Sequence, residues 1–337
     1  MSTLVPPVAG DAPLSGALHI PRERRIASPY RRACAFVTDT VFIGIAANIL
    51  AWPFFYPLSR LGVWGPVLGF FLALPYFAIS NSRIGNGQTP GKRLLKVQVV
   101  DGDGSTLSFA DSVLRYTIFA IPYYLADVAF SSMRTPVASA VFWVITTGMG
   151  VSTIYLVCFN RRTRQGLHDL AVNSFVVEAH KSDPLNPKPI WKMHWVILGA
   201  ILVACLSGGV VAYLKISQWE PFSELLKDVK LLEGMPGVYG IGAQRFWASQ
   251  GEASLIISVQ WTGNSYDDEA LSDDVAKKIL EGDAAVAQLS VFRIVVSHGF
   301  NIGIANAHVS QAFQHTPAEW RERLGLAPLA EPPGTKP

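Results

Sequence analysis

Long apolar runs punctuate the first two thirds of the chain, and short alternating segments fill the last third. Ala33 to Trp52 is a 20-residue apolar run interrupted only by Asp39, and Leu61 to Ser80 is another of the same length without a charge. Pro136 to Phe159 and Trp195 to Leu214 are also free of charge. Each is long enough to cross a hydrocarbon core of about 30 Å as a helix. Val113 to Phe130 is weaker, because Arg115 and Asp127 leave only 11 uncharged residues between them. After Lys215 the period shortens. Pro221 to Glu233 predicts an amphipathic helix, Val238 to Ala248 and Ser254 to Trp261 strands, and Asp268 to Glu281 a helix with Leu271, Val275 and Ile279 on one side. Val291 to Ser297 and Ile302 to Phe313 predict a second pair of strands around a turn at His298-Gly299-Phe300-Asn301. Thr316-Pro317-Ala318-Glu319 is a capping box with proline at the first helical position, so a helix is expected there. The expected fold class is a mainly α-helical multi-pass membrane protein followed by a small α+β domain of order αββαββα.

Composition agrees with the membrane assignment. Of 337 residues 50% are hydrophobic and only 16% charged, with a mean hydropathy of +0.29, too apolar for a soluble protein and far from disorder. Charge is unevenly placed: 18 Lys and Arg face 10 Asp and Glu up to Leu214, a balance of +8, and 10 face 15 from Lys215 onward, a balance of −5. That split argues against nucleic acid as a partner, which calls for a basic face on a soluble domain. Cys34, Cys158 and Cys205 all fall in apolar stretches, so neither a disulfide framework nor a cysteine metal site is expected, and no cofactor is implied.

Cations set the expected orientation. Arg22, Arg24, Arg25, Arg31 and Arg32 precede the first run, Arg83, Lys92, Arg93 and Lys96 follow the second, and Arg161, Arg162, Arg164, Lys181, Lys188 and Lys192 follow the fourth. All three groups are expected in the cytoplasm. Two crossings must then separate the last two groups, so Val113 to Phe130 is expected to span, with the turn at Ser131 to Thr135 outside. The predicted organisation is a flexible cytoplasmic tail at 1–28, four membrane helices in 29–178 with a cytoplasmic hairpin at 82–112, a cytoplasmic linker at 179–194, a fifth span at 195–214, an extracytoplasmic domain at 216–326 and a Pro-rich tail at 327–337. No stretch in residues 1–28 has the apolar core of a signal peptide.

Gly65, Gly69 and Ala73 recur every four residues in the second span, and Ala200, Ala204, Gly208 and Ala212 in the fifth. Such rows let helices approach closely, within the bundle or between copies in a homo-oligomer. Pro75 and Pro122 lie inside spans, and Trp191, Trp195 and Tyr213 bracket the fifth as an aromatic belt. Asp39 sits about seven residues into the first span, where a carboxylate is costly unless protonated, paired or wet. Arg32, a bridging water and Arg115 are all candidate partners. A buried pair that orders the bundle and a proton or cation relay are the two readings of this residue.

Arg32 and Asp39 at the start of a span, then Gly87-Gln88-Thr89-Pro90-Gly91-Lys92-Arg93-Leu94-Leu95, Val99-Val100-Asp101, Leu107-Ser108, Leu114-Arg115 and finally Gly166-Leu167-His168-Asp169 form an ordered set. Over residues 28 to 178 this set resembles the RDD family of bacterial membrane proteins, named for one arginine and two aspartates. By position the arginine resembles Arg32 and the aspartates Asp39 and Asp169. The resemblance implies transport of unidentified ligands, with proposals of sodium or potassium exchange for protons. One departure stands out: the family continues after Asp169 with a Leu-Ala-Gly-Thr-like run, whereas this chain has Leu170-Ala171-Val172-Asn173-Ser174.

Other motifs weaken on inspection. The Gly87 to Lys92 stretch has the look of a phosphate loop, but Asn86 stands where a glycine is required and Arg93 where Ser or Thr is. It reads instead as a turn leading to a strand at Leu95 to Val100, a turn at Asp101-Gly102-Asp103-Gly104 and a return at Ser105 to Leu107. Thr106 and Ser112 occupy the places of the glycine and glutamate of a calcium loop. His168 beside Asp169 invites a proton-relay role near neutral pH, and pairing of Asp169 with Arg161, Arg162 or Arg164 is the simpler expectation. In the last third His298, His308 and His315 lack metal-ligand spacing, and Phe246, Trp247 and Trp261 read as core or sheet face. No catalytic constellation is present, so an enzyme is not expected. The site candidates are Arg32, Asp39, Arg115, Asp127, His168 and Asp169. The functional expectation is transport of a small ion or solute across the inner membrane, coupled to protons through Asp39; the alternative is a membrane-anchored sensor whose periplasmic domain binds a protein.

Overall fold

The computed structural model describes residues 25–126, 135–179, 185, 189–216, 218–247, 253–263 and 267–327. Among them four helices are long and apolar enough to cross a membrane: Pro29–Ser59, Gly62–Asn81, Pro136–Phe159 and Lys192–Lys215. The first begins where Ser28 Oγ accepts the Arg31 N–H and Pro29 starts helix α1 (Pro29–Ala51). A 3₁₀ turn at Trp52-Pro53-Phe54 leads into α2 (Phe55–Ser59). Helix α3 (Gly65–Asn81) returns to the Arg32 end, where the short α4 (Pro90–Leu94), capped by Thr89, and strand β1 (Val97–Val100) follow. Helix α5 (Phe109–Tyr124) lies along α3, with Tyr116 stacked on Phe77 at 4.6 Å between ring centroids. Helix α6 (Pro136–Phe159), with a π-helical turn at Val144–Gly148, leads to α7 (Leu167–Ala171) and β2 (Phe175–Glu178).

Several expectations change here. β1 does not fold back on Ser105 to Leu107; it pairs antiparallel with β2, Val97 opposite Glu178 and Val100 opposite Phe175. Val97, Val99, Val100 and Val177 are all buried, so both faces of this ribbon are covered, which a hairpin lying on the membrane surface would not provide. Of the expected tail at 1–28, residues 1–24 lie outside the described set, and the rest bonds to β2: Glu178 N–H donates to Arg25 O and Ala27 N–H to Val176 O. For the Val113 to Phe130 span, the helix is described to Tyr124, and residues 127–134 lie outside the described set.

Helix α8 (Lys192–Ile216) packs on α6. Ser139 Oγ donates to Gly209 O, and a Cβ at Gly209 would stand 2.7 Å from the Cα of Ala140. A Cβ at Gly208 would meet nothing within 4 Å. The contact row is therefore displaced by one residue, about 100° around the helix, from the Ala200, Ala204, Gly208 row.

The last third contains α9 (Glu220–Leu232), β3 (Val238–Trp247), β4 (Ala253–Trp261), α10 (Asp268–Gly282), β5 (Val291–Asn301), β6 (Asn306–His315) and α11 (Pro317–Arg323). The sheet order is β3-β4-β5-β6, antiparallel except for the β4/β5 pair, whose crossover carries α10. Leu255, Ile257 and Val259 alternate onto the face shared with Val275, Ile279, Phe292 and Ile294. Trp320 of α11 plugs the core, its Nε1–H on Phe292 O at 3.0 Å.

The turn between β5 and β6 lies four residues beyond its expected place. β5 runs through His298 to Asn301, and Ile302 N–H closes onto Ala305 O around Gly303. The longer hairpin reaches the bundle end remote from Arg32. Phe300 packs on Phe55, Tyr123 OH donates to Gly303 O at 2.7 Å, and Asn306 N–H donates to Asn48 Oδ1 at 3.3 Å. A Cβ at Gly69 would collide with Ile302 O. The Gly65 and Gly69 row of α3 thus admits a strand turn rather than another helix.

Candidate functional site

At the Arg32 end of the bundle, α1, α3, α5 and α6 surround a cavity of about 470 Å³. Its polar end is formed by Arg32, Asp39, Lys92, Arg115 and His168, and the rest of its wall is mostly apolar. Five of the six residues singled out from the sequence converge here, with Asp169 buried beneath the polar end. Asp127 lies outside the described residues.

Asp169, with no exposed surface, is held between two guanidinium groups. Arg32 Nη2 stands 2.5 Å from Oδ2, and Arg115 approaches Oδ1 with Nη2 at 2.6 Å and Nε at 2.9 Å. Gly166 N–H and Ser174 Oγ add two further donors. Burial favours the neutral acid, yet His168, Arg115 and Arg32 beside it outweigh burial and hold the carboxyl well below its usual range. The expected pairing with Arg161, Arg162 or Arg164 is replaced by partners from two helices, Arg32 of α1 and Arg115 of α5; Arg164 contributes only its carbonyl, which accepts from Arg32. The departure after Asp169 also resolves. Asn173 adopts φ +47, a conformation asparagine tolerates better than most residues, and the following Ser174 bonds both Asp169 and Arg115.

His168 is buried, its Nε2 3.5 Å from Asp169 Oδ1. Desolvation, reinforced by Arg115, Arg32 and Lys92 against the pull of Asp169, lowers its pKa to about 3. It is neutral at physiological pH, which removes the near-neutral titration expected of it.

Asp39, 1% exposed, is satisfied differently. Neither Arg32 nor Arg115 reaches it, because both are committed to Asp169. Three neutral donors do: Tyr76 OH at 2.9 Å, Thr89 Oγ1 at 2.5 Å and Gly91 N–H at 2.8 Å. Thr89 also caps α4, its Oγ accepting the Lys92 N–H. A side chain at Gly91 would collide with Ala35 O, so only glycine lets α4 lie this close to α1.

Lys92, absent from the sequence-derived candidates, is the remaining cation of the cavity. Its Nζ bonds Asn81 Oδ1 rather than a carboxylate. Burial and repulsion from Arg115 outweigh the attraction of Asp39 and Asp169 and bring its pKa to about 7. The signal for it lay within Thr89-Pro90-Gly91-Lys92, where a helix cap and Pro at N1 mark a helix start inside what reads otherwise as a turn.

No curated protein and no solved structure matches the chain. Residues 26–173 match the model of the RDD family, a stretch that runs from just before α1 through α7 and includes Arg32, Asp39, Arg115 and Asp169. This portion of the chain, which contributes nearly all of the cavity wall and the buried ion pairs of Asp169, is what the chain shares with the RDD family.

Proposed function

We propose that the protein moves a small ion or solute across the bacterial inner membrane, with proton exchange at Asp39. The observation that carries this reading is the contrast between two buried carboxylates. Asp169 cannot change its charge without stranding two guanidinium groups, and so serves the architecture. Asp39 is held by neutral donors, so it can take up a proton or a cation from the cavity without breaking an ion pair.

The orientation follows from the basic segments at the Arg32 end, which favour the cytoplasm. A fifth crossing by α5 is supported by its course from Arg115, at Asp169, to Tyr123, at the β5–β6 turn. The C-terminal domain then lies outside the cytoplasm. In vesicles containing the purified protein, an imposed pH gradient should drive ion flux that Asp39→Asn abolishes; equal flux in wild type and variant removes Asp39 from the mechanism. A second reading, a sensor with a periplasmic protein partner, draws on the same hairpin, since a domain seated in the bundle has a route to it. Deleting residues 216–337 separates the two, because a transporter whose path is the bundle retains flux.

A further inference from the structure

The cavity is not sealed on its flank. Its mouth lies between α1 and α6, where Tyr30, Phe36, Ile154 and Cys158 line it. Phe36 is 42% and Ile154 66% exposed, and a gap between two membrane-crossing helices meets lipid rather than water. Inside, apolar walls lead to the polar end. That end carries three cations, Arg32, Lys92 and Arg115, against the two carboxylates Asp39 and Asp169. Since Asp169 takes both guanidinium groups, Lys92 is the cation without a carboxylate contact. Arg32 stands in the first turn of α1 and Lys92 follows the end of α3, so this charge lies at the depth of lipid head groups.

An apolar slot open to the bilayer, ending in a net positive charge at head-group depth whenever Lys92 is protonated, has the complementarity of an acidic amphiphile. We infer that the cleft between α1 and α6 binds an anionic phospholipid, its acyl chain between the two helices and its phosphate at Lys92. The cleft shares the cavity of the proposed transport path, but lipid binding does not require transport.

The test uses full-length protein in a neutral detergent, with native mass spectrometry to count retained lipid and thermal unfolding as a second readout. Phosphatidylglycerol should be retained and stabilising at concentrations where phosphatidylcholine is not. Lys92→Gln should weaken that preference about fivefold, the weight of one lysine at an anionic surface. Ile154→Trp, at a lipid-facing position that leaves every ion pair intact, should close the mouth and abolish retention. The inference is overturned if both lipids are retained equally, if Ile154→Trp retains phosphatidylglycerol like wild type, or if glycerol 3-phosphate stabilises as well as the lipid, which would mark a site for a water-soluble anion. Loss of flux with lipid retention intact would count against the transport reading alone, and flux without lipid preference against this inference alone.

Discussion

Arg115 grips Asp169 through two nitrogens, Nη2 at 2.6 Å and Nε at 2.9 Å, and so ties α5 to the segment that follows α6. Removing one partner of a buried pair leaves the other charge uncompensated, at a cost of about 3–5 kcal/mol. Asp169→Asn should therefore sharply lower the unfolding temperature or the folded yield. Asp39→Asn keeps an acceptor for its neutral donors and should cost no more than about 1.5 kcal/mol. Because the pKa of Asp169 is depressed, its stabilisation is present above the ordinary carboxylate value and fades only as pH falls through the lower folded value. The gap between wild type and Asp169→Asn should stay flat from about pH 5 to pH 8. Equal destabilisation by the two substitutions would refute the division of roles between these aspartates.

Lys92 should give the opposite kind of pH dependence. Its folded pKa of about 7 lies below the ordinary 10.5, so between these values the unfolded chain binds the proton more strongly. Stability then rises with pH across that window, and below pH 7 the full cost of burying the charge remains. Lys92→Met should remove this slope. Thermal unfolding of both proteins from pH 6 to pH 10 provides the measurement, and parallel curves would show that Lys92 is not the titrating group.

The apolar runs were legible because an uncharged stretch of about 20 residues has few alternatives to crossing a bilayer, and the helix after Thr316 because its cap and proline are local signals. What escaped depended on distant segments. Val97 to Val100 carries no mark of a partner as remote as Phe175 to Glu178, and the end of β5 reads as a turn until Phe300 is seen against Phe55. The donors to Asp39 were missed because a buried charge suggested an opposite charge. Tyr76, Thr89 and Gly91 together satisfy it without one. The family resemblance singles out both Arg32 and Asp169 but not their contact, which 137 positions of sequence separation conceal.

The seating of the β5–β6 turn in the bundle can be tested covalently. Asn306 N–H lies 3.3 Å from Asn48 Oδ1, so Asn48→Cys combined with Asn306→Cys, in a background without Cys34, Cys158 and Cys205, should cross-link under mild oxidation. Adding Gly69→Val should suppress the cross-link, because even a Cβ there collides with the Ile302 carbonyl and backbone yields less readily than a side chain. A double-cysteine protein that stays reduced would show that the domain does not dock at this end.

Topology provides the last prediction, and it rests on charges that act independently of one another. The segment after α3 carries Arg83, Lys92, Arg93 and Lys96, and the segment after α6 carries Arg161, Arg162, Arg164, Lys181, Lys188 and Lys192. Each resists translocation, whereas an acidic domain such as the one beyond Lys215 does not. A reporter active only outside the cytoplasm should be dark when fused after Gly102 or Ser182 and bright when fused after Pro337. If the fusion at Ser182 is bright and that at Pro337 dark, α5 does not cross the bilayer. Gly102 would then lie on the opposite side of the membrane from Ser182, and the β1–β2 ribbon between them could not form. The ion pairs of Asp169 with Arg32 and Arg115 would have to be abandoned with it, since they join the same two segments.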